Sequence, residues 1–194
     1  MKVLFGDDDV YGLEWGDPDV SPPLGYIRDR FLLPYVRPDA VVLEIGPGGG
    51  RWTRYMLGAK TLYAVDLHSE LLNELRKKIK RSNVTFVKNN GDDFPGIPRG
   101  SVDFVFSFGT FVHLDCDIID RYLVNLRDVL KPDATVVLQY SDKTKPLGKS
   151  NPGFSDNDPQ RMRALVQGRG YVIQEEDVAT LWHGSVIRFG LASS

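Results

Sequence analysis

Cysteine is almost absent from this 194-residue chain, which contains Cys116 alone. A single cysteine excludes an intrachain disulfide and a zinc site made of cysteines. Long apolar runs are also missing, because none approaches the roughly 20 residues of a membrane-spanning helix, and the apolar start within residues 1–5 is too short for a signal peptide. We therefore expect a cytoplasmic protein that does not enter a membrane.

An excess of either charge is missing as well, since 24 Lys and Arg residues stand against 26 Asp and Glu residues, a formal net charge of -2. Sequence-independent binding to nucleic acid requires clustered cations. The densest basic run, residues 76–81, falls at the end of a predicted helix, where cations complement the helix dipole. We interpret this run as a solvated helix surface and expect no nucleic-acid partner.

The most informative segment that is present covers residues 41–50, an apolar run that carries Glu44 and ends in a turn with four glycines. Glycine tolerates positive φ and lets the backbone approach a ligand closely. About twenty residues further on, a second strand-like run, 61–66, ends at Asp66, where a carboxylate can hold both hydroxyls of a ribose. This spacing indicates an α/β domain that binds a nucleoside.

Two details of the turn distinguish between nucleoside ligands. The dinucleotide fingerprint requires a glycine at its sixth position, which is Arg51 here, and Glu44 would repel a pyrophosphate but attract an ammonium or sulfonium group. The pattern Glu-x-Gly-x-Gly-x-Gly, from Glu44 to Gly50, resembles the first motif of the class I S-adenosylmethionine-dependent methyltransferases, of the small single-domain bacterial type. An NAD(P)-dependent oxidoreductase on a Rossmann-type fold and a non-catalytic S-adenosylmethionine-binding module remain as alternatives.

Strand-like and helix-like patterns alternate along the chain, which indicates βαβ units. Strands are predicted over 41–46, 61–66, 84–89, 102–108 and 135–141, and helices over 51–57, 69–80, 117–130 and from Pro159 to about Gly168. The runs 171–178 and 185–191 are joined by a short link, which favours an antiparallel hairpin. The predicted fold is α/β, a Rossmann-like seven-stranded sheet, mostly parallel with a C-terminal antiparallel hairpin and helices on both faces, as the resemblance also implies.

A single methyltransferase domain, 1–194, accounts for the length of the chain. Its predicted parts are an N-terminal arm and helix (1–40), a cofactor-binding core (41–141), a loop (142–158), and a helix with an edge hairpin (159–194). The loop suits either an ordered lid, which Phe154 favours, or a floppy connection, and its lysines suit a phosphate or carboxylate. In the arm, Tyr11 and Trp15 suit either a flap over the cofactor or a packing strap, and an amphipathic helix is predicted from Ser21 to Tyr35.

The predicted cofactor contacts follow the ends of the first four strands. Glu44 and the turn after it suit the methionine part, Asp66 the ribose and Leu67 the adenine ring. The resemblance implies that Asp92 lies opposite the adenine amino group and that the end of the fourth strand lines the cofactor. The full predicted set is Glu44, Gly46, Pro47, Gly48, Gly49, Asp66, Leu67, Gly91, Asp92, Asp93 and Ser107.

The acceptor side offers few candidates for chemistry. The fourth strand is not followed by the Asn/Asp-Pro-Pro-Tyr motif that many methyltransferases of planar amines carry, and we expect no metal, because Asp115 and Asp117 suit helix N-caps. His113 and His183 are candidate general bases and Tyr140 is a third catalytic candidate. We expect O-methylation of a small polar metabolite, such as a sugar derivative, by a monomer or homodimer.

Overall fold

Seven strands form one sheet in residues 15–192, the part of the chain that the computed structural model describes. The strands are β1 (Val41–Ile45), β2 (Thr61–Asp66), β3 (Val84–Lys88), β4 (Val102–Ser107), β5 (Leu130–Ser141), β6 (Tyr171–Asp177) and β7 (Gly184–Leu191). The α-helices are α1 (Pro22–Ile27), α2 (Ser69–Lys78), α3 (Cys116–Val129), α4 (Pro146–Ser150) and α5 (Pro159–Gly168).

The strand order is β3-β2-β1-β4-β5-β7-β6. Strands β1 to β5 pair in parallel, whereas β7 lies antiparallel to both β5 and β6. The predicted mostly parallel seven-stranded sheet with a C-terminal antiparallel hairpin is therefore confirmed. Because the chain leaves β1 towards β2 on one side and returns to β4 on the other, the switch point of the sheet lies between β1 and β4, where ligands of such folds bind.

Helices cover both faces of the sheet, and β1 shows how its residues divide between them. Leu43 and Ile45 point into a core that α3 and α5 complete, whereas Val42 points into a second core built with α1. Alternate residues of a strand point to opposite faces, so Glu44 shares the face of Val42. One carboxyl group is thus directed into an otherwise apolar layer.

The predicted N-terminal helix is helical through Tyr35, but it is not a uniform α-helix. After α1 the chain continues as a π-helical turn, Arg28–Leu32, and a 3-10 turn, Leu33–Tyr35. Pro34 lacks an amide hydrogen and its ring would collide with the carbonyl one α-turn earlier, which explains the change in pitch. Phe31 and Leu32 are fully buried against the sheet. Tyr11 lies outside the described residues.

The α-helix predicted over residues 51–57 is wrong, because the structure has only a 3-10 turn there, Thr53–Tyr55. A seven-residue segment has room for few helical hydrogen bonds, so the cost of helix nucleation is not recovered. Trp52 and Met56 are instead buried in the core shared with α1. The chain after the glycine-rich turn therefore packs on the sheet with a short 3-10 turn in place of the predicted helix.

The predicted start of the fifth strand at residue 135 is also wrong, since β5 begins at Leu130 directly after α3. The register with β4 changes from Val102↔Leu130 to Phe104↔Thr135. A bulge of this kind tolerates Pro132, which cannot donate a hydrogen bond to a ladder.

Within residues 15–192, no helix has the length and apolar character that would let it cross a membrane.

The turn after β1 allows the energetic cost of adding a Cβ to a glycine to be tested. Gly46 has φ 71°, and a Cβ there would lie 1.9 Å from Thr110 Oγ1. We expect Gly46→Ala to lower the free energy of unfolding by about 2–4 kcal/mol, since the left-handed conformation and the overlap both cost energy. Urea denaturation measures this change.

Two matched glycines serve as controls for that variant. Gly96 has φ 76° in open space, so Gly96→Ala is expected to cost only about 1 kcal/mol. Gly58 has open space and no left-handed φ, so Gly58→Ala is expected to be neutral or slightly stabilising. If Gly46→Ala cost no more than Gly96→Ala, the close approach of Thr110 to the turn would be disproved.

Candidate cofactor and acceptor site

The site begins at the carboxyl ends of β1 and β4, which hydrogen bonds hold together. The Ser107 hydroxyl donates to the Ile45 carbonyl at 2.7 Å, and the Thr110 hydroxyl reaches the carbonyls of Ile45 and Gly46 at 3.4 Å each. On the other side the Gly46 amide donates to the Val65 carbonyl at 2.8 Å. Ser107 is fully buried and its hydroxyl supports the turn, while its contact with the cofactor stays a prediction.

Glu44 is the most unusual group of the site. Its side chain is 2% exposed, and Oε2 has no hydrogen-bond partner. Burial raises the pKa of Glu44 to about 8, and the negative charge of Asp66 adds to this shift, while the neighbouring Thr53 hydroxyl opposes it. A cation placed beside this carboxylate would recover the energy that its burial costs.

Asp66 ends β2 beside Glu44 and is also buried. Its Oδ1 accepts a hydrogen bond from the His68 amide at 2.8 Å, and burial raises the pKa of its carboxyl group despite that bond. Leu67 is 47% exposed and offers apolar surface next to it. The structure thus brings together Glu44, the glycine-rich turn, Asp66 and Leu67, as the predicted site requires.

The predicted cofactor-binding residues after β3 already have hydrogen-bond partners within the protein. The Asp92 carboxylate accepts a hydrogen bond from Arg121 Nε at 2.6 Å, so an adenine amino group would have to compete with an arginine. Asp93 accepts from both the amide and the side chain of Asn90, at 2.7 Å each, and closes the turn that contains Gly91. These contacts favour a structural role for Asp93.

Asn89 is a residue of this turn that sequence analysis missed. It is fully buried, its Oδ1 accepts from the Gly91 amide at 3.3 Å, and its Nδ2 donates to the Tyr122 hydroxyl at 3.0 Å. A polar residue at the end of an apolar strand was the available signal. Asn89 fixes the turn against α3.

Two histidines and one aromatic ring meet at the edge of the sheet where the acceptor is predicted to bind. The Phe154 ring centroid lies 5.4 Å from the rings of both His113 and His183. His113 follows β4 in a 3-10 turn, Phe154 comes from the loop 142–158, and His183 comes from the link between β6 and β7. Three separate segments therefore bring the two predicted bases next to one ring.

The two histidines differ in their surroundings. His113 is exposed, and its Nδ1 lies 2.7 Å from the Gly153 carbonyl oxygen. His183 is half-buried, and its Nε2 lies 3.2 Å from Nε2 of Gln139, a residue that sequence analysis missed. Burial lowers the pKa of His183, and the positive charges of Lys145 and Arg51 lower it further.

The structure does not bring Tyr140 to this rim. Its side chain is fully buried in the core with α3 and α5, and burial raises the pKa of its hydroxyl far above the usual value. A phenol in that position cannot touch an acceptor. Asp142 next to it accepts hydrogen bonds from Thr144 and Ser185, and within residues 15–192 no cluster of three His, Cys, Asp or Glu side chains is arranged to hold a metal.

The loop 142–158 is packed onto the sheet. The Ser155 amide donates to the Val112 carbonyl at 2.8 Å, and the Ser141 hydroxyl donates to the Ser155 carbonyl at 2.7 Å. These buried bonds fix the part of the loop that follows Phe154. The aromatic ring therefore has an anchored backbone beside it.

Lys145 anchors the other end of the loop. Its ammonium donates to the carbonyls of Leu181 and Gly184, at 2.7 Å each, and lies 3.8 Å from Asp142 Oδ2. These contacts do not support the expectation that this lysine meets an anionic substrate. They hold α4 against the link that carries His183.

Arg51, noted in the sequence only for breaking the dinucleotide pattern, is a further member of the site. It is 7% exposed, its guanidinium lies 5.7 Å from the ring centroids of Trp52 and Phe108, and it donates to the Gly16 carbonyl at 3.1 Å. This contact ties the N-terminal arm to the glycine-rich turn. Trp15, the arm residue beside it, is 59% exposed.

The buried carboxylate predicts an unusual pH dependence of stability. Because the native pKa of Glu44, about 8, exceeds the ordinary value of 4.5, the unfolded state loses its proton first, and the free energy of unfolding falls as pH rises through this window. The expected loss is at most about 5 kcal/mol. Urea denaturation from pH 4.5 to 8 measures it.

Glu44→Gln is expected to remove this component and to be more stable than the wild type at pH 8. Glu70→Gln, the same change at an exposed position of α2, is the control. Parallel pH profiles for the wild type and Glu44→Gln would show that Glu44 is ionised in the folded protein.

The chain resembles proteins of known family. A family model described as a methyltransferase domain matches residues 42–133. The ribosomal protein L11 methyltransferase of Thermoanaerobacter sp. (strain X514) is 28% identical over 106 residues, which are 54% of this chain and 33% of that protein. The chain therefore spans about a third of the length of this curated relative.

Solved structures share the fold over most of the chain. A SAM-dependent methyltransferase from Aquifex aeolicus aligns with a TM-score of 0.71 and 20% identity, over 95% of both chains. The glycopeptide N-methyltransferase MtfA, solved with S-adenosylmethionine, aligns with a TM-score of 0.65 and 16% identity, over 79% of this chain and 82% of that one. The family match covers residues 42–133, and together with the Glu44–Gly50 motif and the shared fold it supports a class I S-adenosylmethionine-dependent methyltransferase with S-adenosylmethionine as its cofactor.

Proposed function

We propose that this chain transfers the methyl group of S-adenosylmethionine to a hydroxyl of a small polar metabolite, such as a sugar derivative. The observation that carries the proposal is the state of His113 beside the acceptor rim. A carbonyl oxygen can only accept, so the contact with Gly153 places the proton of a neutral His113 on Nδ1. Nε2 then keeps its lone pair and is able to take a proton.

The residues at the ends of β1 and β2 fit the cofactor. The buried Glu44 Oε2, which has no hydrogen-bond partner, suits the ammonium of the methionine part, and Asp66 suits the ribose hydroxyls. Leu67 offers its exposed apolar surface to the adenine ring. Bound there, S-adenosylmethionine supplies an electrophilic methyl group on a sulfonium.

Methyl transfer from a sulfonium requires an acceptor oxygen in line with the methyl and the sulfur. Alignment in a site that excludes water lowers the barrier of such a displacement. Phe154, fixed beside His113 and His183, suits the role of a wall that shields the reacting atoms and contacts the ring of an acceptor. His113 Nε2 would receive the hydroxyl proton during attack, a role for which imidazole is suited near neutral pH.

An NAD(P)-dependent oxidoreductase, an N-methyltransferase of planar amines and a non-catalytic cofactor-binding module each fit the residues of the site less well. A bound dinucleotide would place a pyrophosphate near the buried Glu44 carboxyl, and the sixth position of the turn is a buried Arg51 and not glycine. N-methylation of a planar amine is disfavoured because Ser107–His113 contains no Asn/Asp-Pro-Pro-Tyr motif. A non-catalytic module would bind the cofactor but would have no need of a base at the rim.

His113→Asn tests the proposed base. The asparagine amide keeps a donor close to the position of Nδ1 and so preserves the bond to Gly153, but it has no counterpart to Nε2. We expect kcat to fall by about a hundredfold or more, because general base catalysis contributes roughly that factor. The measurement is formation of S-adenosylhomocysteine with a panel of hydroxylated metabolites.

The affinity for S-adenosylhomocysteine is the control and is expected to be unchanged in His113→Asn. His113→Ala, which also loses the bond to the loop, separates loss of the base from loss of the anchor. Turnover of His113→Asn within twofold of the wild type would rule out His113 as the base. Cofactor binding without turnover of any acceptor would favour the non-catalytic module.

A further inference from the structure

A buried glutamine connects the backbone after β4 with the His183 side chain. Gln139 lies on β5 and is 1% exposed. Its Oε1 accepts a hydrogen bond from the Gly109 amide at 2.7 Å, and its Nε2 lies 3.2 Å from Nε2 of His183. One amide group thus touches the rim of β4 and the link between β6 and β7.

The hydrogen bond from the Gly109 amide determines how the side-chain amide of Gln139 is oriented. The Gly109 amide can only donate, so the carbonyl oxygen of Gln139 must face it and the amide NH2 must face His183. Nε2 of His183 is consequently an acceptor, and a neutral His183 carries its proton on Nδ1. A protonated His183 would place two donors against each other.

The surroundings of His183 leave space for this arrangement and favour the neutral ring. A Cβ on Gly184 would lie 3.1 Å from Gln139 Nε2 and 2.6 Å from the Tyr140 carbonyl oxygen, so glycine leaves room for the amide. The charged groups that act on His183 are Lys145 and Arg51, both positive, and the Asp142 carboxylate offsets Lys145 only in part from 3.8 Å.

The two histidines beside Phe154 therefore differ in the nitrogen that they keep available. Both carry a proton on Nδ1. His113 donates that proton to the Gly153 carbonyl, which leaves the lone pair of its Nε2 available. His183 accepts a hydrogen bond from Gln139 on Nε2, which leaves its Nδ1 proton available. One ring is left as a base and the other as a hydrogen-bond donor.

We propose that Gln139 is a positioning residue that holds His183 in the neutral form with its proton on Nδ1, so that His183 donates a hydrogen bond to an oxygen of the acceptor and does not act as the base. The assignment rests on the proposed function only for the presence of an acceptor at this rim. The form of His183 itself follows from its contacts with Gln139.

NMR spectroscopy of the full chain, with nitrogen-15 in the histidine rings, tests the proposal without an acceptor. In the wild type we expect the His183 Nδ1 to be protonated and Nε2 to be unprotonated at neutral pH. In Gln139→Glu one carboxylate oxygen still accepts from the Gly109 amide, while the other now accepts from His183. The pKa of His183 should then rise by about 1 unit or more, with a proton on Nε2.

His113 is the internal control, because its ring is held by Gly153 and should show the same tautomer in both proteins. Protonation of His183 on Nε2 in the wild type would overturn the proposal, and this spectrum decides alone if Gln139→Glu does not fold. An unchanged His183 pKa in a folded Gln139→Glu that still binds S-adenosylhomocysteine would also overturn it. If the wild type shows the expected His183 tautomer but transfers no methyl group to any acceptor, only the proposed function is contradicted.

Discussion

The burial of one carboxyl group, that of Glu44, is the constraint on which the site depends. Strand alternation directs Glu44 into an apolar layer with Val42, and neighbouring polar groups do not compensate the burial. Burial raises the pKa of Glu44 to about 8, because the charged form of the carboxyl group is poorly solvated there. A ligand that brings a cation to this point would therefore stabilise the charged form of Glu44.

The elements around Glu44 hold it in that position. Gly46 turns the chain with a left-handed conformation so tightly that Thr110 occupies the space of a Cβ, and Ser107 ties the ends of β1 and β4 together. Beyond this turn, the loop 142–158 carries Phe154 to the two histidines. The proposed cofactor and acceptor halves of the site are thus joined through the end of β4, after which the Gly109 amide donates to Gln139.

The parts of the molecule that local pattern determines could be predicted from the sequence. The alternation of strands and helices along the chain, the C-terminal hairpin and the proximity of Glu44 to Asp66 follow from apolar periodicity and from glycine spacing, whereas the order of the strands in the sheet does not. Tyr140, predicted from the sequence as a catalytic candidate, lies in the core, because neighbouring residues of a strand point to opposite faces and the residue that reaches His183 is Gln139.

Chain length and contacts between residues distant in the sequence explain the remaining differences between the prediction and the structure. The segment 51–57 has the sequence of a helix, but it is too short to recover the cost of helix nucleation and forms only the 3-10 turn Thr53–Tyr55. Asp92 follows β3 as the family motif implies, yet Arg121 of α3 binds its carboxylate, and this partner is 29 residues away in sequence. No local pattern reveals such a partner.

Calorimetry tests most directly whether the Glu44 carboxylate receives the ammonium of the cofactor. S-adenosylhomocysteine carries this ammonium and cannot transfer a methyl group. Because Glu44, with a pKa of about 8, holds a proton at pH 6 to 7 in the free protein, binding should release close to one proton in that range, and the affinity should rise up to about tenfold per pH unit. Glu44→Gln should bind more weakly at pH 7.5 and show neither effect; equal affinity and equal proton release in both proteins would contradict the account.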